Sequence, residues 1–131
     1  MPAPSPFEYV IVRVVPHVER EEFINAGAIL FCHEQDYLRA RIALDEKRLR
    51  AIAPHVDLDL VMRHLQAIPR ICEGGALAGP IGRLTKRERW HWLVSARSTI
   101  LQTSPSHAGL GADPEASLER LLDQVVRGQN D

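Results

Sequence analysis

The sequence is poor in cysteine and in long apolar runs, and each shortage excludes a class of protein. The two cysteines, Cys32 and Cys72, have neither metal-site spacing nor a C-x-x-C motif, so we expect free thiols in a reducing cytoplasm. No apolar stretch approaches the roughly 18 residues of a membrane-spanning helix. Residues 1–6 lack the basic region and apolar run of a signal peptide, so we expect none. These absences favour a cytoplasmic protein without a membrane anchor.

An excess of either charge is also missing, because 16 basic residues face 17 acidic ones and the formal net charge is −1. Overall electrostatics therefore predict neither a nucleic-acid nor a membrane partner. Only Lys47 and Lys86 are lysines, which leaves fourteen arginines among the basic residues. Arginine suits planar recognition of carboxylates or phosphates, but a genome rich in G and C produces the same bias, and we favour that explanation.

Several metal and phosphate motifs are incomplete. A helical zinc-protease motif begins at His33, but Tyr37 stands where the second histidine is required. Asp57 and Asp59 are better explained as a helix cap with an acid in the first turn than as cation ligands. The glycine-rich stretch 74–84 has proline where a phosphate loop needs lysine. We therefore predict no metal and no cofactor.

Nucleophile motifs are missing as well. The sequence has no Gly-x-Ser-x-Gly elbow, and its six histidines show no recognisable catalytic spacing. Cys32 and His91 can form a dyad only through tertiary contact, and a strand cysteine beside Phe31 is usually buried and inert. These residues favour a non-enzymatic role, although they do not exclude catalysis.

Residues 7–33 hold the densest β-branched and aromatic run of the chain, in two halves around a charged turn. In the first half, alternate residues are apolar on both faces, which predicts an interior strand covered on both sides. Residues 24–32 repeat the pattern, so we expect an antiparallel hairpin at the centre of the sheet. Gly27 indicates a bulge or a close backbone approach that re-aims Asn25, or simply room for an aromatic ring.

The remaining elements follow from periodicity, caps and turn residues. We predict a third strand at 37–44, a short helix after Asp45, a longer helix from Asp57 to near Pro69, a connection or lid at 74–84, a capping-box helix from Thr85, a last strand at 98–104, a loop at 106–112 and a final helix from Asp113 to Gly128. The predicted fold is a single α+β domain over residues 7–128, with a mainly antiparallel four-stranded sheet and helices packed on it. Residues 1–6 are expected to be a disordered tail, and residues 129–131 a second tail.

Two groups of residues are candidate binding sites. The first is the charged turn 19–22 with Asn25, in which Glu22 and Asn25 are the candidate binding residues. Arg13, on an otherwise apolar strand face, and Gln102, on the polar face of the last strand, are separate candidates that can reach this end of the hairpin. We expect a carboxylate or backbone carbonyls to hold Arg13. A solvated charged turn is the simpler explanation of Glu22 and its neighbours.

The second group lies at residues 83–97, where cations alternate with tryptophans as single-strand binding requires. It consists of Arg83, Lys86, Arg87, Arg89, Trp90, Trp92 and Arg97. A solvated helix face with both tryptophans in the core explains the same pattern.

Three segments, at residues 9–16, 20–31 and 97–105, resemble the bacterial domain-of-unknown-function family numbered 3037. The resemblance covers nearly the whole chain and implies a small cytoplasmic bacterial protein without an established activity. It also implies a candidate partner, a kinase resembling the toxin component of a toxin–antitoxin pair, beside which members of the family are often encoded.

We therefore expect a non-enzymatic protein that binds a protein partner or acts as a regulatory accessory. The alternative is nucleic-acid or phosphate-ligand binding through residues 83–97, and a small enzyme of unknown type is third. Homo-oligomerisation stays open.

Overall fold

The computed structural model of the chain describes residues 3–95 and 100–127, and its two longest strands form the central hairpin. Strand β1 spans Ser5–Val14 and strand β2 spans Ile24–Cys32. They pair antiparallel, from Glu8 opposite Phe31 to Val14 opposite Ile24. The predicted central hairpin is thus confirmed, and β1 begins at Ser5, within the segment that was expected to be a tail.

Three further strands complete a five-stranded antiparallel sheet. Strand β3 (Tyr37–Ile42) pairs with β2 and forms one edge, as its exposed arginines predicted. Two short strands lie on the other side of β1. Strand β4 (Leu101–Thr103) pairs with the second half of β1, and strand β5 (His107–Gly111) pairs with the first half of β1. The predicted antiparallel α+β fold is confirmed, with one strand more than expected.

Strand β5 lies in the segment 106–112 that was predicted to be a loop, and its sequence, His-Ala-Gly-Leu-Gly, has no β-branched residue to indicate a strand. A tertiary contact explains the difference. A Cβ atom on Gly109 would lie only 2.4 Å from the Phe7 ring of β1, so the missing side chain makes room for that ring. Pairing with β1 therefore decides the conformation of this segment.

Four α-helices surround the sheet in the described part of the chain. They are α1 (Glu46–Ile52), α2 (Leu58–Glu73), α3 (Lys86–Ser95) and α4 (Pro114–Val125), with 3-10 segments at Val18–Arg20 and Ala76–Arg83. None of these helices combines the length and the apolar character that crossing a membrane requires, as far as the described residues go.

The predicted helix starts are confirmed by side-chain caps. Asp45, Asp57 and Asp113 each accept a backbone N–H in the first turn of their helix. In the capping box, Thr85 Oγ1 accepts from the Glu88 amide at 3.1 Å, and Glu88 Oε1 accepts from the Thr85 amide at 2.9 Å. These bonds, first that from the Thr85 backbone, lower the pKa of Glu88.

The connection after α2 differs from the sequence prediction in two respects. Pro69 does not end α2, which continues to Glu73 because Ile71 and Cys72 beyond the proline are buried in the core. Residues 76–83 are a 3-10 segment, two of whose apolar side chains pack against the core. The predicted last strand begins in residues 98–99, which lie outside the described residues.

Each face of the sheet carries its own core. On one face, Val10, Val12 and Val14 of β1 pack with α1, α2 and α3. On the other face, Ile11 packs with Leu118 of α4 and with the buried residues of β2. Both faces of β1 are therefore covered, as the apolar alternation predicted.

Helix α4 is fixed to the edge strand β3 by a polar network that the sequence pattern does not indicate. Arg41 forms ion pairs with Glu115 and Glu119, and the Tyr37 hydroxyl donates to Glu115 Oε1 at 2.6 Å. Burial raises the pKa of Tyr37, with the nearby Arg41 and Arg39 opposing the shift. The apolar stripe of α4 attaches this helix to the sheet, and the polar network fixes its orientation.

Replacing Val12 with Asp should unfold the domain, because a carboxylate would lie in the core between β1, β4 and the helices without a partner. The penalty of several kcal/mol is comparable with the whole stability of a small domain. Val18→Asp is the matched control, since Val18 is exposed. Circular dichroism and thermal melting measure both variants, and an unchanged melting temperature for Val12→Asp would contradict the described core.

Burial raises the pKa of the Cys72 thiol to about 12, with Arg89 opposing the shift. The thiol of the unfolded chain titrates near about 8.5. Above that pH the unfolded chain loses a proton that the folded protein keeps, so this contribution to stability is full below about pH 8.5 and is lost as pH rises towards 12.

Wild type should therefore lose its stability advantage over Cys72→Ala as pH rises. We expect the difference in unfolding free energy to shrink by about 1 kcal/mol per pH unit above pH 9. Urea unfolding at several pH values measures this difference. The titration of Tyr37 contributes equally to both proteins and therefore cancels in the difference. A difference that stays constant between pH 7 and 11 would show that Cys72 is not so deeply desolvated.

Candidate binding surface at the bulged end of the central hairpin

The register of the central hairpin changes at Arg13. Val12 lies opposite Gly27, but Arg13 lies opposite Asn25, which leaves Ala26 as the extra residue of a β-bulge. The predicted bulge is confirmed, and so is a close approach, because a Cβ on Gly27 would lie 2.5 Å from the Arg41 carbonyl oxygen. The nearest atoms come from β3 and not from an aromatic ring.

The bulge aligns three of the predicted site residues. Arg13 is opposite Asn25 on β2 and opposite Gln102 on β4, so the three positions form a row across the sheet. Directly opposed residues point to the same face and have Cβ atoms about 4.5 to 5.5 Å apart. This is the face covered by α4, opposite to that of Val12. The structure thus brings Arg13 next to Gln102, although the two residues are 89 positions apart in the chain.

The Arg13 side chain is half-buried, and its partner is an aromatic ring. Its guanidinium carbon lies 4.2 Å from the centroid of Phe23, a cation–π distance. Its Nε is buried without a hydrogen-bond partner among the described residues. The expectation that a carboxylate or backbone carbonyls hold Arg13 is therefore replaced by stacking on Phe23.

Asn25 connects the bulge to the end of α4. Its Nδ2 donates to the Val125 carbonyl at 2.9 Å, satisfying one of the carbonyls that a helix C-terminus leaves open. Its Oδ1 is buried and accepts no hydrogen bond within the described part of the chain. Asn25 therefore has a structural role and still leaves an acceptor next to Arg13.

The β1–β2 connection supplies the exposed part of the site. Val18 is 52% exposed and Phe23 is 44% exposed, although both are large apolar residues. Glu22 Oε1 forms an ion pair with Arg20 Nε at 3.0 Å. Glu21 has a left-handed backbone with φ of 54°, which closes the 3-10 segment.

We call this region the Arg13 surface, formed by Arg13, Val18, Glu22, Phe23, Asn25 and Gln102. Sequence analysis missed Val18 and Phe23, although two apolar residues within a charged turn were the available signal.

Two residues of the second candidate group lie in the interior. Arg89 is 6% exposed and donates through its guanidinium to the carbonyls of Leu84 and Cys72. Cys72 lies in the last turn of α2, where a cation also complements the helix dipole. Trp90 is 2% exposed and stacks on Phe31 with ring centroids 5.8 Å apart. The prediction that Arg89 and Trp90 contribute to a binding surface is wrong, because both are core residues.

The other members of that group are dispersed. Arg87 is exposed and lies over the Phe31 ring at 5.4 Å, and Lys86 forms an ion pair with Asp36 at 2.9 Å. Trp92 is 41% exposed, so only one of the two tryptophans is in the core. Arg97 lies outside the described residues. The described part of residues 83–97 therefore does not form a continuous row of cations and rings.

The structure also separates the Cys32 and His91 pair. Cys32 belongs to the core under α4, whereas His91 is exposed on α3, which packs on the opposite face. Across residues 3–95 and 100–127, no group of three or more His, Cys, Asp or Glu side chains is placed to hold a metal ion.

The comparison with protein families identifies the chain at the level of its class. Residues 9–126 match the family model described as a protein of unknown function, DUF3037, so the chain belongs to that family. No curated protein and no solved structure matches it.

Arg89→Ala should destabilise the protein by about 2 to 4 kcal/mol, because it leaves buried carbonyls of Leu84 and Cys72 without their donor. Arg87→Ala is the matched control on the same helix, and its loss should stay within about 1 kcal/mol. Chemical denaturation measures both. Equal losses would show that Arg89 does not join α2 and α3.

Proposed function

We propose that this protein is a non-enzymatic partner-binding or regulatory accessory protein of the bacterial cytoplasm, and that a protein partner binds its Arg13 surface. The observation that carries the proposal is the exposed Phe23 ring stacked on the Arg13 guanidinium. Phe23 does not fill the core at this position, since it leaves 44% of its surface in water.

The composition of the Arg13 surface supports a protein as the partner. Aromatic residues and arginine are the side chains that contribute most often to binding hot spots. Val18 adds an exposed apolar side chain, and Arg20, Glu21 and Glu22 of the same connection supply charged groups for a rim. An apolar and aromatic centre with a polar rim is the usual anatomy of a protein interface.

Preorganisation supports the same conclusion. The Phe23 ring holds the Arg13 side chain in one orientation, so less side-chain entropy is lost when a partner binds. The buried Arg13 Nε and Asn25 Oδ1 leave a donor and an acceptor without partners in the described part of the chain.

The acids of the rim argue against a phosphate backbone as the ligand. Glu19, Glu21 and Glu22 lie within the same connection and repel anions. The alternative site at residues 83–97 has lost Arg89 and Trp90 to the core. A protein partner is therefore favoured over nucleic acid, and a toxin-like kinase of the kind that the family resemblance implies is the first partner to test.

Phe23→Ala should weaken binding of the protein partner at least tenfold, because it removes the ring and releases Arg13. Leu110→Ala is the matched control, since Leu110 is 68% exposed on β5, away from the bulge. The partner is isolated from the host with the tagged protein, purified and titrated calorimetrically against the wild type and both variants. Melting temperatures confirm that each variant is folded.

Equal affinity of the wild type and Phe23→Ala would refute the Arg13 surface as the partner site. A separate titration with a single-stranded oligonucleotide tests the alternative. Salt-sensitive submicromolar binding that disappears in an Arg83→Ala, Arg87→Ala double variant would favour nucleic acid instead. Arg89 is unsuitable for that test because its replacement disturbs the core.

A further inference from the structure

A cavity of about 260 Å³ lies on the sheet face opposite to α4, between α2, α3 and β4. Val12 and Ile29 form its floor, and His64 and Ile68 of α2 form one wall. Trp92 of α3 and Thr103 of β4 border it as well, together with Ala67, Ile71, Leu93, Leu101 and Gln102. None of the residues that line it comes from the connection 74–84, so that segment does not cover it.

The lining is mainly apolar, with a few polar groups. Val12, Ile29 and Ile68 present aliphatic carbon, and Trp92 presents an aromatic ring. The His64 imidazole and the Thr103 hydroxyl can each donate or accept a hydrogen bond. Small-molecule sites are concave and apolar, with a few polar groups that orient the ligand, and this cavity has the same composition.

Trp92 indicates that the cavity is suited to an aromatic occupant. The side chain is 41% exposed, and it borders the cavity on one side. A ligand ring inserted beside the indole would gain an offset or edge-to-face contact and would remove apolar surface from water.

We propose that this cavity binds a small planar aromatic molecule of one or two rings that carries one hydrogen-bonding group. Its volume sets the size, because an apolar cavity of about 150 Å³ accepts benzene, and a cavity of 260 Å³ has room for a bicyclic ring. His64 and Thr103 are the side chains that we assign to the polar group, because the third polar residue of the lining, Gln102, is paired with Arg13 on the adjacent register position. The proposal does not rest on the Arg13 surface, although Gln102 of β4 belongs to that surface and also lines the cavity.

Indole is the test ligand, and benzene is the matched ligand without a polar group. The protein is labelled with 5-fluorotryptophan and titrated while the fluorine resonances of both tryptophans are followed. We expect the Trp92 resonance to shift saturably with a Kd of about 1 mM or below for indole, as for a good ligand of this size. Trp90 is the internal reference, because it stacks on Phe31 in the core.

Ala67→Phe tests the cavity itself, since Ala67 lines it and a phenyl ring would occupy the space. We expect indole binding to fall at least tenfold, whereas the control Ala116→Phe, at an exposed position on α4, should bind as the wild type does. Thr103→Val keeps the shape of the side chain and removes the hydroxyl, so it should lower the affinity for indole several-fold more than the affinity for benzene. This variant also tests the proposal if Ala67→Phe does not fold.

Three results would overturn the proposal. They are a Trp92 resonance that does not saturate up to the solubility limit of indole, undiminished binding to folded Ala67→Phe, and equal effects of Thr103→Val on indole and benzene. The first would show that the cavity takes no aromatic ligand, and the second would place the ligand elsewhere. The third would show that Thr103 makes no hydrogen bond to the ligand, contrary to the proposed recognition of its polar group.

Discussion

The antiparallel pairing of β1 with β2 is the interaction on which the rest of this protein depends. Both strands are apolar on both faces, so the hairpin is stable in water only when each face is covered. Helices α1 to α3 cover one face and α4 covers the other. The other strands extend this hairpin at its two edges, and the short β4 and β5 both depend on the edge of β1.

The bulge within this pairing links the fold to the candidate function. In an unbroken ladder, Arg13 would lie opposite Ala26, and the residues beyond it on β2 would be displaced by one position. The extra residue instead aligns Asn25 with Arg13 and lets Ile24 stay in the core opposite Val14. A polar row and an intact core can therefore coexist on adjacent positions of the same two strands, which is the usual use of a bulge beside a functional site.

The two candidate sites show how far residue type predicts location. Arg13, Asn25 and Gln102 were selected separately, and the structure aligned them because strand pairing joins distant parts of the chain. Arg89 and Trp90 were selected for the same chemical reasons, yet the structure buries them. A stretch that alternates cations with rings describes a binding surface and a helix anchored in the core equally well. Only the neighbours, here the Cys72 carbonyl and the Phe31 ring, decide between them.

The sequence by itself determined the features that rest on local periodicity and capping: the central hairpin, the four helix starts, the final amphipathic helix and the α+β class. These depend on side chains within a few residues of one another, so a single chain contains the necessary information. Tertiary structure alone decided that residues 107–111 form a strand, that α2 continues past Pro69, that Phe23 stacks on Arg13 and that α2, α3 and β4 enclose a cavity. Each of these depends on contacts between residues that are distant in the chain, where packing and burial override local preference.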